Sequence, residues 1–135
     1  MIDNSVNHMI YVVEDDEDDC YLLKNTLLAY DVAFNMHFLA NGSELIIHLT
    51  HKLSGRLPDV ILLDLNMPVM NGFDTLRLLK GTDQFRHIPV IIRTAYEDDD
   101  YMNRSYEMGC QAYITKSKHP LELIKVIQQF HPAIG

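Results

Sequence analysis

The sequence predicts an α/β fold built on a parallel sheet with helices on both faces. Two observations carry this. Strand-like apolar runs and amphipathic helix-like stretches alternate along the chain, the pattern of a parallel sheet. The run Val60–Leu63 is apolar at consecutive positions, as in strands buried on both faces. With 135 residues, 47% of them hydrophobic, the chain can bury one substantial core.

The elements follow in order. Met9–Val13 reads as the first strand. Asp16–Tyr30 reads as a helix with Cys20, Leu23 and Leu27 on one face. Val32–Leu39 is a second strand, and Asn41-Gly42 a turn, after which Ser43 caps a helix to about His51. Ser54, Gly55 and Pro58 mark a loop before the third strand, Val60–Leu63. Pro68 and Asn71-Gly72 punctuate the next loop, and Phe73, Leu76 and Leu79 share a face of a third helix ending near Gly81. Val90–Thr94 is the fourth strand, followed by a helix over about Asp98–Met108. Ala112–Thr115 is the fifth strand. The last helix, Leu121–Phe130, presents Leu123, Ile124, Ile127 and Phe130, and Pro120 suits its first position.

Residues 1–7 are expected to be extended or disordered and residues 8–135 to form a single domain with no output domain attached. The formal net charge of −8 argues against nucleic acid as a partner, because phosphate binding needs basic surface. No apolar run approaches the roughly 20 residues of a membrane span, and no signal-like segment opens the chain, so a cytoplasmic protein is expected. Cys20 and Cys110 have no metal or disulfide spacing and read as reduced, packed thiols. The seven histidines are scattered and read as surface or core residues. Met67, Met70 and Met108 read as packing or partner-face residues.

Right-handed crossovers place every strand's C-terminal end on one rim, where open α/β sheets hold their ligands. Past the first strand lies Glu14-Asp15-Asp16-Glu17-Asp18-Asp19. Past the others lie Asp64, Thr94-Ala95 and Thr115-Lys116. Converging carboxylates repel unless a cation joins them, and an oxygen-only set with water suits Mg²⁺. An aspartate can itself take a phosphoryl group, a reaction that needs little beyond positioning and charge neutralisation. Lys116 supplies positive charge and Thr94 a hydrogen bond to phosphoryl oxygen. Asp18 and Asp19 read as a solvated helix start, and Glu97–Asp100 as a cap and solvated face.

From about His8 to Phe130 the chain resembles a response-regulator receiver domain, the phospho-accepting module of two-component signalling. The motifs are Tyr11-Val12-Val13-Glu14-Asp15-Asp16, Ile61 through Pro68, Asn71-Gly72-Phe73, Ile92-Arg93-Thr94-Ala95, and Gly109 with Ala112-Tyr113-Ile114-Thr115-Lys116. The resemblance implies a flavodoxin-like, doubly wound five-stranded sheet of order 2-1-3-4-5 with five helices. It implies Asp64 as phospho-acceptor and metal ligand, and Glu14 and Asp15 as the acidic pair of the metal site, Asp15 the more direct ligand of the two. The backbone carbonyl of Asn66 completes the set for Mg²⁺, with Mn²⁺ as a substitute. Thr94 matches the switch hydroxyl, Lys116 the phosphate-binding lysine and Tyr113 the switch aromatic. Asn66 and Tyr96 match positions that tune phosphoryl lifetime. The implied protein is a stand-alone phospho-acceptor rather than a turnover enzyme. Its partners would be a sensor histidine kinase or phosphotransfer protein and a downstream protein target, reached through the face of helix four, strand five and helix five. A monomer or weak homodimer is expected, with no membrane partner. The loop before strand three and His87-Ile88-Pro89 are similar to stand-alone regulators paired with phytochrome-like kinases.

Two positions depart from the pattern. Ser117 follows Lys116 where the family has proline, and without proline a cis bond costs ~2.5–4 kcal/mol, so a trans bond is expected. Arg93 stands where an apolar residue is usual. It is expected to snorkel toward Glu97–Asp100 or to help form the partner face. Other readings fit less well. A phosphatase of the haloacid-dehalogenase type wants a second aspartate where Asn66 stands. A flavodoxin wants a phosphate-cradling loop where six acids stand. A receiver-like interaction module independent of phosphorylation is the alternative that Ser117 and Arg93 leave open.

Overall fold

Alternation of side chains across the strands sorts the core into two layers, one on each face of a single sheet. The computed structural model describes residues 8–29, 34–53, 55–66 and 71–130. In chain order the elements are β1 (His8–Val13), α1 (Glu17–Ala29), β2 (Phe34–Leu39), α2 (Gly42–His51), β3 (Val60–Leu63), α3 (Gly72–Gly81), β4 (Val90–Thr94), α4 (Asp99–Glu107), β5 (Ala112–Thr115) and α5 (Pro120–Phe130). Strand pairings are parallel and the order is β2-β1-β3-β4-β5, the expected flavodoxin-like topology. Residues 1–7, Tyr30, Val32, Ser54, Met67, Pro68, Met70 and 131–135, for which the sequence raises expectations, lie outside the described residues.

Tyr11, Val13, Ile61, Leu63 and Ile92 pack on one face with Leu45 and Leu49 of α2 and Leu76 and Leu79 of α3. Ile10, Val12, Leu62, Ile91 and Ile114 pack on the other with Leu23 and Leu27 of α1 and Leu123, Ile124 and Ile127 of α5. Each such buried side chain contributes about 1.5–3 kcal/mol. The period of two therefore assigns every strand residue to the α2/α3 side or the α1/α5 side.

The helix starts differ in detail from the sequence reading. Asn41, not Ser43, caps α2: its side-chain oxygen accepts from Glu44 N (2.9 Å), while Glu44 Oε1 accepts from Ala40 N (3.2 Å). Gly42 is already helical, so the cap falls one residue before it. Asp16 precedes α1 and caps it, its Oδ1 accepting from Asp18 N (2.9 Å) and Asp19 N (3.2 Å). Asn71 caps α3 and Asp98 caps α4 through the same geometry. Pro120 opens α5, as its missing N–H allows. Both cysteines are free thiols. No helix among the described residues is long and apolar enough to cross a membrane.

One core position carries an unused polar atom. Tyr11 is fully buried between His37 and His48, and its hydroxyl has no hydrogen-bond partner among the described residues. Tyr11→Phe removes only that hydroxyl and should stabilise the fold by about 1 kcal/mol, read as a higher urea midpoint at constant slope. A loss of similar size would mean that the hydroxyl is satisfied in solution.

Candidate functional site

Three strands extend one residue past their regular ends by continuing the parallel ladder. Glu14 N donates to Leu39 O (2.9 Å), Asp64 N to Val13 O (3.1 Å) and Lys116 N to Thr94 O (2.8 Å). Alternation then sets their directions. Glu14 follows Ile10 and Val12, Asp64 follows Val60 and Leu62, and Lys116 follows Ala112 and Ile114, all on the α1/α5 side. The three side chains meet at the rim. Lys116 Nζ lies 2.7 Å from Glu14 Oε1, 2.8 Å from Asp19 Oδ2 and 3.1 Å from Asp64 Oδ2.

Glu14 and Asp64 are buried, while Asp15 and Asn66 are exposed. One carboxylate oxygen from each of Glu14, Asp15 and Asp64 falls within 4.8 Å of the others, spacing that a single small cation could bridge. The donors are all hard oxygens, the set that suits Mg²⁺ or Mn²⁺. Among the described residues no other group of histidine, cysteine and acidic side chains clusters this way. Asn66 N donates to Asp64 Oδ1 (3.2 Å), which fixes the carboxylate's second oxygen.

Burial pushes the Glu14 carboxyl up to about 7, and the Asp64 charge adds to this against the hydrogen bond from Lys116. Burial alone would lower the Lys116 ammonium. The hydrogen bonds to Asp19 and Glu14 and the nearby charges outweigh it and hold Lys116 above its ordinary value. The Glu14 shift has a consequence for the metal-free protein. A carboxyl whose folded pKa is raised stabilises the fold below its ordinary value of 4.5, and that contribution is lost as pH rises through about 7. In a chelator, stability should fall by on the order of 2 kcal/mol between about pH 5 and 8. Glu14→Gln should flatten this slope in parallel denaturation curves; an unchanged slope would assign it to other groups.

Thr94 continues the opposite face, after Val90 and Ile92, and is fully buried. Its Oγ1 accepts from Tyr96 N (3.3 Å), and Tyr113 Oη donates to Tyr96 O (2.7 Å). Both hydroxyls thus hold the backbone of the same residue. The Tyr96 ring stacks on Tyr101 (4.7 Å between centroids), Tyr101 stacks on Phe73 (5.7 Å), and the Arg104 guanidinium sits 4.1 Å over the Phe73 ring. Burial, with the Asp98 charge, pushes the Tyr113 phenol up to about 12, so it remains a donor.

Two sequence expectations are corrected here. Asp19 is not a merely solvated acid: it is the second residue to grip Lys116, because α1 starts at Glu17 and turns its third residue toward the rim. Arg93 does not reach toward Glu97–Asp100. It follows Ile91 on the α1/α5 side, and its Nη1 lies 4.0 Å from Glu14 Oε1. Glu97–Asp100 are exposed, with Asp98 capping α4, as expected. No cis peptide bond occurs among the described residues. Beside Ser117 a turn closes without proline: Lys118 N donates to Thr115 O (3.1 Å), and the Ser117 and Thr115 hydroxyls are 2.9 Å apart.

Residues 10–128 match the family model of the response regulator receiver domain. The chain is 29% identical to Response regulator Rcp1 of Synechocystis sp. over 123 residues, covering 89% of this chain and 84% of that protein. It is 30% identical over 127 residues to Polar-differentiation response regulator DivK of Brucella anthropi, covering 93% of this chain and 95% of DivK. Among solved structures, the Mn²⁺-bound form of Rcp1 superposes with a TM-score of 0.77 at 28% identity, over 93% of each chain. The phosphorylated cyanobacterial phytochrome response regulator RcpA superposes with a TM-score of 0.79 at 27% identity, over 93% of this chain and 92% of RcpA.

Proposed function

Since the chain belongs to the response regulator receiver domain family, we propose that it accepts a phosphoryl group on Asp64 from a sensor histidine kinase or a phosphotransfer protein. It is a signalling domain and not a turnover enzyme. One observation carries the proposal. The Asp64 carboxylate lies at the rim with Lys116 Nζ at 3.1 Å and with Glu14 and Asp15 oxygens close enough to share a cation.

In the transfer, an Asp64 oxygen attacks phosphorus, the phosphorus–nitrogen bond of the donor's phosphohistidine breaks, and the imidazole leaves with a proton. Lys116 turns its ammonium to a phosphoryl oxygen, and Thr94 moves to donate its hydroxyl proton to another, giving up the hydrogen bond it accepts from Tyr96 N. Glu14, Asp15 and Asp64, with the Asn66 carbonyl, would hold Mg²⁺, which when bound would neutralise phosphoryl charge. The Mn²⁺ in the Rcp1 structure supports this choice of ion. Release of Tyr96 N lets Tyr113 move, and the face of α4, β5 and α5 shifts between two populations. The likeness to a phytochrome response regulator supports a phytochrome-type kinase as the donor.

The test is labelling of purified protein with acetyl phosphate. Intact mass should show a single added phosphoryl group that needs Mg²⁺ and is removed by hydroxylamine, as an acyl phosphate must be. Labelling indifferent to chelator, or stable to hydroxylamine, would sink the proposal. A second measurement concerns lifetime. Asn66 stands two residues past Asp64 and Tyr96 two past Thr94, the family positions that tune lifetime, so changing both should alter the decay of the labelled form several-fold without preventing labelling. Unchanged decay would remove them from that role.

A further inference from the structure

Arg93 is a cation at the rim that phosphoryl transfer leaves without a task. Its side chain is largely buried, 16% exposed, yet among the described residues its guanidinium makes no hydrogen bond, and the carboxylate it approaches is Glu14 at 4.0 Å. Glu14 Oε1 is the same oxygen that Lys116 holds at 2.7 Å, so one buried oxygen faces two cations. A cavity of about 280 Å³ between α1 and α5 opens beside it, lined by Asp19, Arg93, Lys116 and Lys118. Packing alone does not explain the presence of Arg93: Ile91, on the same strand face, is fully buried among apolar side chains, and an apolar residue would continue that layer.

We propose that Arg93 is a built-in competitor of the divalent cation, a positioning residue that holds Glu14 in the metal-free site and weakens Mg²⁺ binding there. The inference rests on Glu14, Asp15 and Asp64 being the metal ligands. In the metal-free site Arg93 is, beside Lys116, a second counter-charge for the buried Glu14 oxygen, and a divalent cation must displace that hold to bind there.

Calorimetric titration with Mg²⁺ separates the two layers of the argument. Binding by the wild-type chain that Asp15→Asn abolishes supports the ligand set; absence of wild-type binding overturns that reading, and the inference with it. With the ligand set in place, Arg93→Leu and Arg93→Gln should each tighten Mg²⁺ about three- to tenfold, the size expected for removing one nearby, partly screened charge. Arg93→Lys should stay near wild type. In a Glu14→Gln background the gain from Arg93→Leu should shrink. Equal or weaker binding by both neutral variants overturns the inference. A gain of the same size without the Glu14 charge also overturns it, since Arg93 would then not act through Glu14.

Discussion

Asp64→Asn is expected to abolish phosphoryl labelling while leaving the metal-free fold at least as stable as wild type. The carboxamide presents no anionic oxygen to attack phosphorus, so the labelling rate should fall by about three orders of magnitude or more. Stability behaves differently because Asp64 is one of three carboxylates around Lys116. Its charge adds to the burial that raises the Glu14 carboxyl. Removing it relieves a like-charge repulsion, and Lys116 keeps Glu14 at 2.7 Å and Asp19 at 2.8 Å. Intact mass after acetyl phosphate treatment reads the first effect, and thermal unfolding near pH 8 in chelator reads the second. A variant that loses labelling and also unfolds would show that Asp64 is primarily structural. Labelling at an unchanged rate would place the acceptor elsewhere.

Gly72→Ala is expected to cost about 3 kcal/mol or more, although alanine is the better helix former by about 1 kcal/mol. A Cβ at Gly72 would lie 2.5 Å from both the carbonyl oxygen of Asp64 and Cα of Leu65. Both are backbone atoms, so no side-chain rotation relieves the overlap. The segment that carries Asp64 would have to move, and Gly72 N also donates to Leu65 O (3.0 Å). The glycine is needed for close approach and not for an unusual backbone angle. Urea denaturation measures the loss, and a change below about 1 kcal/mol would show that the loop yields cheaply. The same displacement should slow labelling, since Asp64 moves with Leu65.

The contrast between these residues shows what the sequence carries. Val60–Leu63, Val90–Thr94 and Ala112–Thr115 were legible to the residue, because short apolar runs bounded by turn signals have few alternatives. Asn71-Gly72 was legible as punctuation only. That Asn71 caps a helix and Gly72 clears a backbone depends on how α3 approaches the third strand's end. The convergence of Glu14, Asp64 and Lys116 followed from topology, since a parallel sheet gathers strand ends at one rim. The partner of Arg93 could have been read as well. Counting alternation one residue past the strands puts Arg93 and Glu14 on the same side, away from the acids of the following loop. Asp19 was harder. Its grip on Lys116 spans 97 positions of sequence and depends on the direction in which α1 leaves the rim, which no local pattern encodes.

The stacked rings behind Thr94 have a practical consequence. The chain has no tryptophan and seven tyrosines, so its ultraviolet emission is tyrosine emission. Tyr96 and Tyr101 lie face to face at 4.7 Å, and Tyr113 donates its hydroxyl to the Tyr96 carbonyl. Energy absorbed by these rings is dissipated in a geometry that the hydroxyl of Thr94 helps to hold. The domain thus carries its own optical reporter: a change in the company that Thr94 keeps should alter its emission intensity, with no dye or label attached.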